Sequence, residues 1–226
     1  DKGFAVYIIN DLHEGEDLRK VDFFTYLEKS TKVAEKICAT RKNKIILIGH
    51  SMGGLIVQKI AETNPHLVAS LVLVASAPPK GISSMSWSVA KAMAKHIIPL
   101  LFNLPLNIDR ESTLRLILSW LGDEKRKGQI FEKFVPESSK IAKQLAFSKI
   151  PVDEKEVICE ILIVAGLYDR LLPNKIQVAI GNKYDYNRVY YSSYLTGHMP
   201  MLERLSEEII QDIYRWIVNR FYMSEK

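Results

Sequence analysis

Apolar residues fall along this chain in two rhythms. Continuous apolar runs occur at 4–9, 44–49, 67–76 and 158–166, and a more mixed one at 187–194. Short runs of this kind, bounded by Gly, Pro, Asn or Lys, read as strands, the first four of them buried. Elsewhere the apolar positions recur every third or fourth residue, as on one face of a helix. Phe24, Leu27, Val33, Ala34 and Ile37 do so within 23–39. The stretch after residue 54 repeats the pattern, and Ile209, Ile213, Trp216 and Ile217 do so within 206–221, with Arg220 at a charged end. Strand and helix alternate, which predicts an α/β fold: a mostly parallel sheet with crossover helices on both faces.

From about residue 80 to 157 the strand pattern stops. Helical stretches at 86–93, 113–121 and 138–147 replace it. The chain therefore divides into a first part of the core (1–79), a helical insertion (80–157) and a second part of the core (158–226). An insertion of this size can exclude water from a site and present it with an apolar wall. Met85, Trp87, Met93 and Phe102 are candidates for that wall, or for the ordinary core of the insertion.

Composition narrows the classes. A chain of 226 residues that is 47% hydrophobic suits one α/β domain with an inserted part. The net charge is +5, but Lys and Arg are scattered among Asp and Glu, which is a solvated surface and not a nucleic-acid footprint. Cys38 and Cys159 sit in apolar segments without ligand-like spacing, so free thiols are expected, in a reducing compartment such as the cytoplasm. Asp1-Lys2-Gly3 leads into the first apolar run without a secretory pattern. The most apolar stretch, 97–106, is short and broken by Pro99, Asn103 and Pro105, so no stable membrane insertion is expected. No phosphate-binding glycine loop or metal-ligand spacing is present, and no cofactor or metal is expected.

The chemistry-bearing stretch is Gly49-His50-Ser51-Met52-Gly53, a G-x-S-x-G between an apolar run and a helical one. A serine at such a junction sits on a sharp turn that pushes its hydroxyl out of the sheet. Gly49 and Gly53 are expected to be required because a Cβ at either would crowd the close approach of strand and helix. The helix behind Ser51 offers free N–H groups and a partial positive charge to an oxyanion. A glycine-rich turn whose serine merely caps the helix is the alternative. His50 is expected to support the turn and not to react, and His66 to be a turn residue.

This stretch resembles the nucleophile elbow of the α/β-hydrolase superfamily, and the likeness extends over nearly the whole chain. Gly3-Phe4-Ala5-Val6 through Asp11-Leu12 is similar to that family's early strand and loop, with Asp11 expected to pin its own loop and His13 to be exposed. Asp169, just past an apolar run in a Gly-x-x-Asp-x-x-x-Pro setting, resembles the triad acid. Asp153 and Asp185 follow no such run. Gly197-His198-Met199-Pro200-Met201-Leu202-Glu203 resembles esterase-type and plant methylesterase-like members, with His198 as general base. The order Ser, Asp, His matches the family's. The resemblance implies an α/β-hydrolase fold with a helical cap and a serine hydrolase cleaving a small-molecule carboxylic ester, thioester or lactone. Ser51 would be the nucleophile and the Met52 backbone N–H one oxyanion donor. A non-catalytic ligand-binding member and a hydroxynitrile-lyase-like enzyme are the alternatives. The family's His-Gly-type oxyanion loop and its strand have no counterpart before Gly3. Roughly 40 or more further residues are therefore expected upstream, including the second oxyanion donor.

Overall fold

The structure is a computed structural model that describes residues 3–10 and 12–221. Asp11, expected to pin its loop, lies outside the described residues. Helix α1 (Phe23–Arg41) opens on Asp22, whose carboxylate accepts from the Thr25 N–H while the Thr25 hydroxyl side answers the Asp22 N–H. Its buried stripe is Phe23, Tyr26, Ser30 and Ala34. Phe24, expected on that stripe, is exposed instead, because Phe23 and Tyr26 set the register one position earlier. Then come β1 (Ile45–His50), α2 (Met52–Thr63) and β2 (Val68–Val74). The sheet resumes with β5 (Glu160–Gly166), α8 (Asn174–Gly181) and β6 (Val189–Tyr194), and α9 (Ser206–Phe221) closes the described chain.

The sheet order is β1-β2-β5-β6 and every pairing is parallel. The strands add in one direction, so right-handed crossovers put their helices on one face. Strand alternation shows it. Leu71, Leu73, Ile161 and Ile163 point into a core shared with α1, α2 and α8. Their neighbours Val72, Val74, Leu162 and Val164 point the other way, where α9 packs through Ile209, Ile213 and Trp216. Helices thus cover both faces of a mostly parallel sheet, the fold expected of an α/β hydrolase.

Residues 4–9 do not form the buried strand that their apolar run suggests. They pair with no strand, and Val6 and Ile8 are 78% and 77% exposed. The segment is held from its sides instead. Arg41 Nε donates to the Tyr7 hydroxyl at 2.7 Å, and the Phe4 ring meets Tyr214 of α9 edge-on. An apolar run becomes a strand only where a neighbour offers its edge, and among the described residues β1 is the last strand on that side. Ile48 of β1 is correspondingly 58% exposed.

Between β2 and β5 lie α3 (Trp87–Ala94), α4 (Ile97–Phe102), α5 (Arg110–Leu116), α6 (Glu124–Phe131) and α7 (Ser139–Ala146). A two-residue antiparallel ladder, β3 (Pro105–Leu106) with β4 (Glu137–Ser138), interrupts them. Helix α5 starts earlier than its apolar pattern suggests because Asp109 caps it, accepting from the Ser112 N–H at 3.0 Å. The insertion is tied to α1 by polar contacts: Tyr26 Oη donates to Glu137 at 2.8 Å and Ser138 Oγ to the Val21 carbonyl at 2.6 Å.

Candidate active site

Three loops leave the carboxyl ends of the strands, where open α/β sheets gather their chemistry. Ser51 follows β1, Asp169 follows β5 and His198 follows β6. Ser51 holds φ 53° and ψ −120°, a conformation that side chains rarely adopt. Its N–H donates to Val74 O at 3.0 Å and its carbonyl accepts from Gly54 and Ala77. The turn is over-determined on both sides, which is what holds a strained residue in place.

Two glycines permit that turn, and they are not the expected pair. A Cβ on Gly49 would sit 2.3 Å from Gly53 O. A Cβ on Gly53 would meet nothing within 4 Å, so the crowding argument fails there. Gly54 is the second necessary glycine: its Cβ would lie 2.3 Å from Ser76 Oγ. Ser76 is itself fixed in a buried polar network. It accepts from Gln58 Nε2 at 2.9 Å, and its backbone exchanges two bonds with the Gln177 side chain. Tyr184 Oη completes the network by donating to Gln58 at 2.8 Å.

The three side chains converge. His198 Nδ1 donates to Asp169 Oδ2 at 2.8 Å, and the Ser51 hydroxyl lies 3.1 Å from His198 Nε2. With Nδ1 protonated, Nε2 is the acceptor for the serine proton. Asp169 and His198 are both buried, and Asp169 Oδ1 accepts from the N–H groups of Leu171 and Leu172 at 2.8 and 2.9 Å. The carboxylate is thus pinned by its own turn before it meets the imidazole. Gly166 brings the acid and histidine loops together, since a Cβ there would lie 2.3 Å from Gly197 O. Tyr168 N–H donates to Thr196 O at 2.9 Å across the same junction.

Two further residues set the histidine: His50 of the elbow, expected to support the turn, and Glu203 at the end of the histidine loop's pattern, for which no role was expected. His50 Nε2 donates to the His198 carbonyl at 2.7 Å. Removal from water, and then the neighbouring His198, lower the His50 pKa to about 4, so it stays a neutral support at ordinary pH. Glu203 is buried, and its Oε2 accepts from the Gly197 N–H at 2.7 Å. The carboxylate thus holds the amide that directly precedes His198, while its other oxygen, Oε1, has no partner among the described residues. Burial nevertheless raises its pKa. The signal for Glu203 was in the sequence only as the end of the histidine loop's pattern.

The Met52 N–H, at the first position of α2, has no acceptor among the described residues. His66 is exposed in a turn, as expected, and His13 is half-buried. Of the proposed wall residues, Met85 and Met93 are half-buried, whereas Trp87 and Phe102 are 85% and 70% exposed. Those two face solvent because the short α3 and α4 bury only one or two apolar positions each. Cys38 and Cys159 are unpaired and half-buried, and burial pushes the Cys159 thiol up to about 11. Among the described residues no group of three or more His, Cys, Asp or Glu is placed to hold a metal ion, and no helix is long and apolar enough to cross a membrane.

A family model described as serine aminopeptidase, S33, matches residues 1–194. The chain belongs to this family. As an S33-family chain it is a member of the α/β-hydrolase superfamily, in agreement with the sheet and its helices. The matched stretch contains Ser51 and Asp169 and ends before His198. Solved structures share the fold of this S33-family chain. A monoacylglycerol lipase of Paleococcus ferrophilus matches with TM-score 0.61 and 21% identity, over 85% of this chain and 75% of its own. A thermophilic esterase of Thermogutta terrifontis matches with TM-score 0.65 and 17% identity, over 87% and 72%. A lipase-esterase related protein of Clostridium acetobutylicum matches with TM-score 0.63 and 17% identity, over 86% and 75%. No curated protein sequence matches the chain significantly.

Proposed function

We propose that this S33-family chain is a serine hydrolase that cleaves a carboxylic ester, thioester or lactone of a small molecule through an acyl-enzyme. The observation that carries the reading is the continuous hydrogen-bonded chain from Asp169 through His198 to Ser51. Ser51 Oγ attacks the carbonyl carbon while His198 Nε2 takes its proton. The carbonyl electrons move onto oxygen, where the Met52 N–H donates to the oxyanion. Collapse expels the alcohol or thiol, which takes the proton from His198. Water then repeats the sequence and frees the acid. Asp169 keeps the imidazole in one tautomer and stabilises its charged form. The insertion between β2 and β5 acts as a cap over this site, with Met85 and Met93 as candidates for its apolar wall. The free thiols suit a reducing compartment, the cytoplasm.

The test is turnover of short-chain p-nitrophenyl esters, with Ser51→Ala as control, together with covalent labelling by a fluorophosphonate. Turnover and labelling that both vanish in Ser51→Ala are the expected result. Absence of both in the wild-type chain refutes the reading and favours a ligand-binding protein. Labelling at Ser51 with no ester turnover, but cleavage of a cyanohydrin, points to the lyase alternative. The description of the family favours a second reading, hydrolysis of amides at a peptide N-terminus. Aminoacyl-anilides assayed beside the esters separate the two by their kcat/KM.

A further inference from the structure

The opposite flank of the acid loop carries a feature that the chemistry above does not use. A cavity of about 620 Å³ opens between the insertion and the segment after β5, lined by Arg110, Glu111, Arg115, Ser119, Lys127 and Arg170 among others. Its volume is that of a small-molecule site. Four of those side chains are cations. Glu111 is the carboxylate among them, and it is engaged by Lys95 Nζ at 2.7 Å. Lys127 pairs outward with Glu124. Among the described residues Arg110, Arg115 and Arg170 form no ion pair; Arg115 lies near enough to Glu111 to help hold its carboxyl pKa down, behind Lys95, without bonding to it.

Arg115 is the telling group. Its Nε and one Nη are shut off from solvent and no described residue accepts from them. The Ser119 hydroxyl, in the turn that follows α5, is buried and unpartnered too. Arg115 is only half-buried, but buried guanidinium N–H groups without an acceptor are costly, and native structures rarely leave them so. The planar fork of Arg matches the oxygens of a phosphate or carboxylate two at a time, and Ser119 can add a third donor. We propose that this cavity is a binding site for a small molecule bearing a compact oxyanion, phosphoryl or carboxylate, seated on Arg115 and Ser119 and flanked by Arg110 and Arg170.

The site adjoins the catalytic loops through covalent neighbours. Arg170 directly follows Asp169. Ser119 precedes Trp120, whose ring stacks on Tyr168 at 4.0 Å and whose Cβ would lie 2.7 Å from a Cβ on Gly197. A bound anion therefore braces the loops that carry both the acid and the histidine.

The experiment uses the full chain carrying Ser51→Ala, so no turnover contributes and the result is independent of the esterase reading. Inorganic phosphate and succinate are titrated by calorimetry in low salt. Saturable one-to-one binding of at least one, with Kd of about 1 mM or tighter, is expected. The same anion at about ten times its Kd should raise Tm by about 3 °C. Tighter phosphate binding marks a phosphoryl ligand, tighter succinate binding a carboxylate. Arg115→Met keeps the apolar stem and should weaken binding tenfold or more. Arg170→Gln is exposed, reports even if the first variant folds poorly, and should weaken it at least threefold. Lys36→Gln on α1 should change nothing. No saturable binding of either anion, or binding indifferent to both arginine variants, overturns the proposal.

Discussion

Glu203 offers the most exacting check on how the histidine is held. Replacing it by Ala removes the acceptor of the Gly197 N–H, 2.7 Å away. A hydrogen bond to a charged group is worth about 1.5–3 kcal/mol. Against that loss stands the cost of burying the carboxylate, which shows in its raised pKa. The balance should be a loss of about 1–2 kcal/mol, or a Tm lower by about 3–6 °C for a chain of this size. The larger effect should be on rate. His198 directly follows the anchored amide, and a shift of about 1 Å in a reacting group costs about 100-fold. Glu203→Ala should thus lower kcat on a p-nitrophenyl ester by about 30- to 100-fold, with KM within about threefold. Glu203→Gln keeps a carbonyl for Gly197 and should retain most of kcat. The sign of the pH effect separates charge from shape. Because the folded pKa is raised, the carboxyl favours folding below its unfolded value, and that contribution is lost as pH rises through the folded one. Glu203→Gln should abolish this slope and melt no lower than wild type at pH 8. A Glu203→Ala variant with lower Tm but kcat within twofold of wild type would refute the positioning role.

Other expectations concern the elbow and its support. Gly53→Ala should change stability by less than about 0.5 kcal/mol, because nothing lies where its Cβ would go. Gly54→Ala, which meets Ser76, and Gly49→Ala, which meets Gly53 backbone, should each cost about 2 kcal/mol or more in urea denaturation. Equal tolerance at all three positions would contradict the packing described. His50, with its pKa lowered to about 4, stays neutral in the folded chain while it protonates in the unfolded one. Stability should therefore fall as pH drops from about 6.5 to 4, by about 2–3 kcal/mol at most, and His50→Gln should flatten that fall.

Much of the fold can be read from local pattern. The apolar runs of β1, β2 and β5 are short, continuous and bounded by turn residues, so their position follows from period alone. Ser51, Asp169 and His198 stand just past such runs, and three strand ends of one parallel sheet share an edge. What depends on a distant neighbour was not legible. Residues 4–9 have the composition of a strand, but composition does not say whether an edge is there to receive it. The need for Gly54 comes from Ser76, which sits at the end of a different strand and is fixed by Gln58 and Gln177. Trp87 and Phe102 read as wall residues because they are large and apolar, yet the way α3 and α4 lie turns them outward. Glu203 was visible as a letter in a pattern, and its burial under the histidine loop depends on how that loop folds back on itself.

The pairing of β2 with β5 has a consequence for how the molecule is made. Ser70 lies opposite Glu160, so the centre of the sheet cannot zip until the whole insertion has been synthesised. At about 5–20 residues per second the ribosome needs several seconds to deliver it. During that interval β1, α2 and β2 wait with the Leu71 and Leu73 edge open to other chains. Nascent molecules are most vulnerable to clumping in that window, and slower translation of residues 80–157 should lower the soluble yield without altering the finished protein.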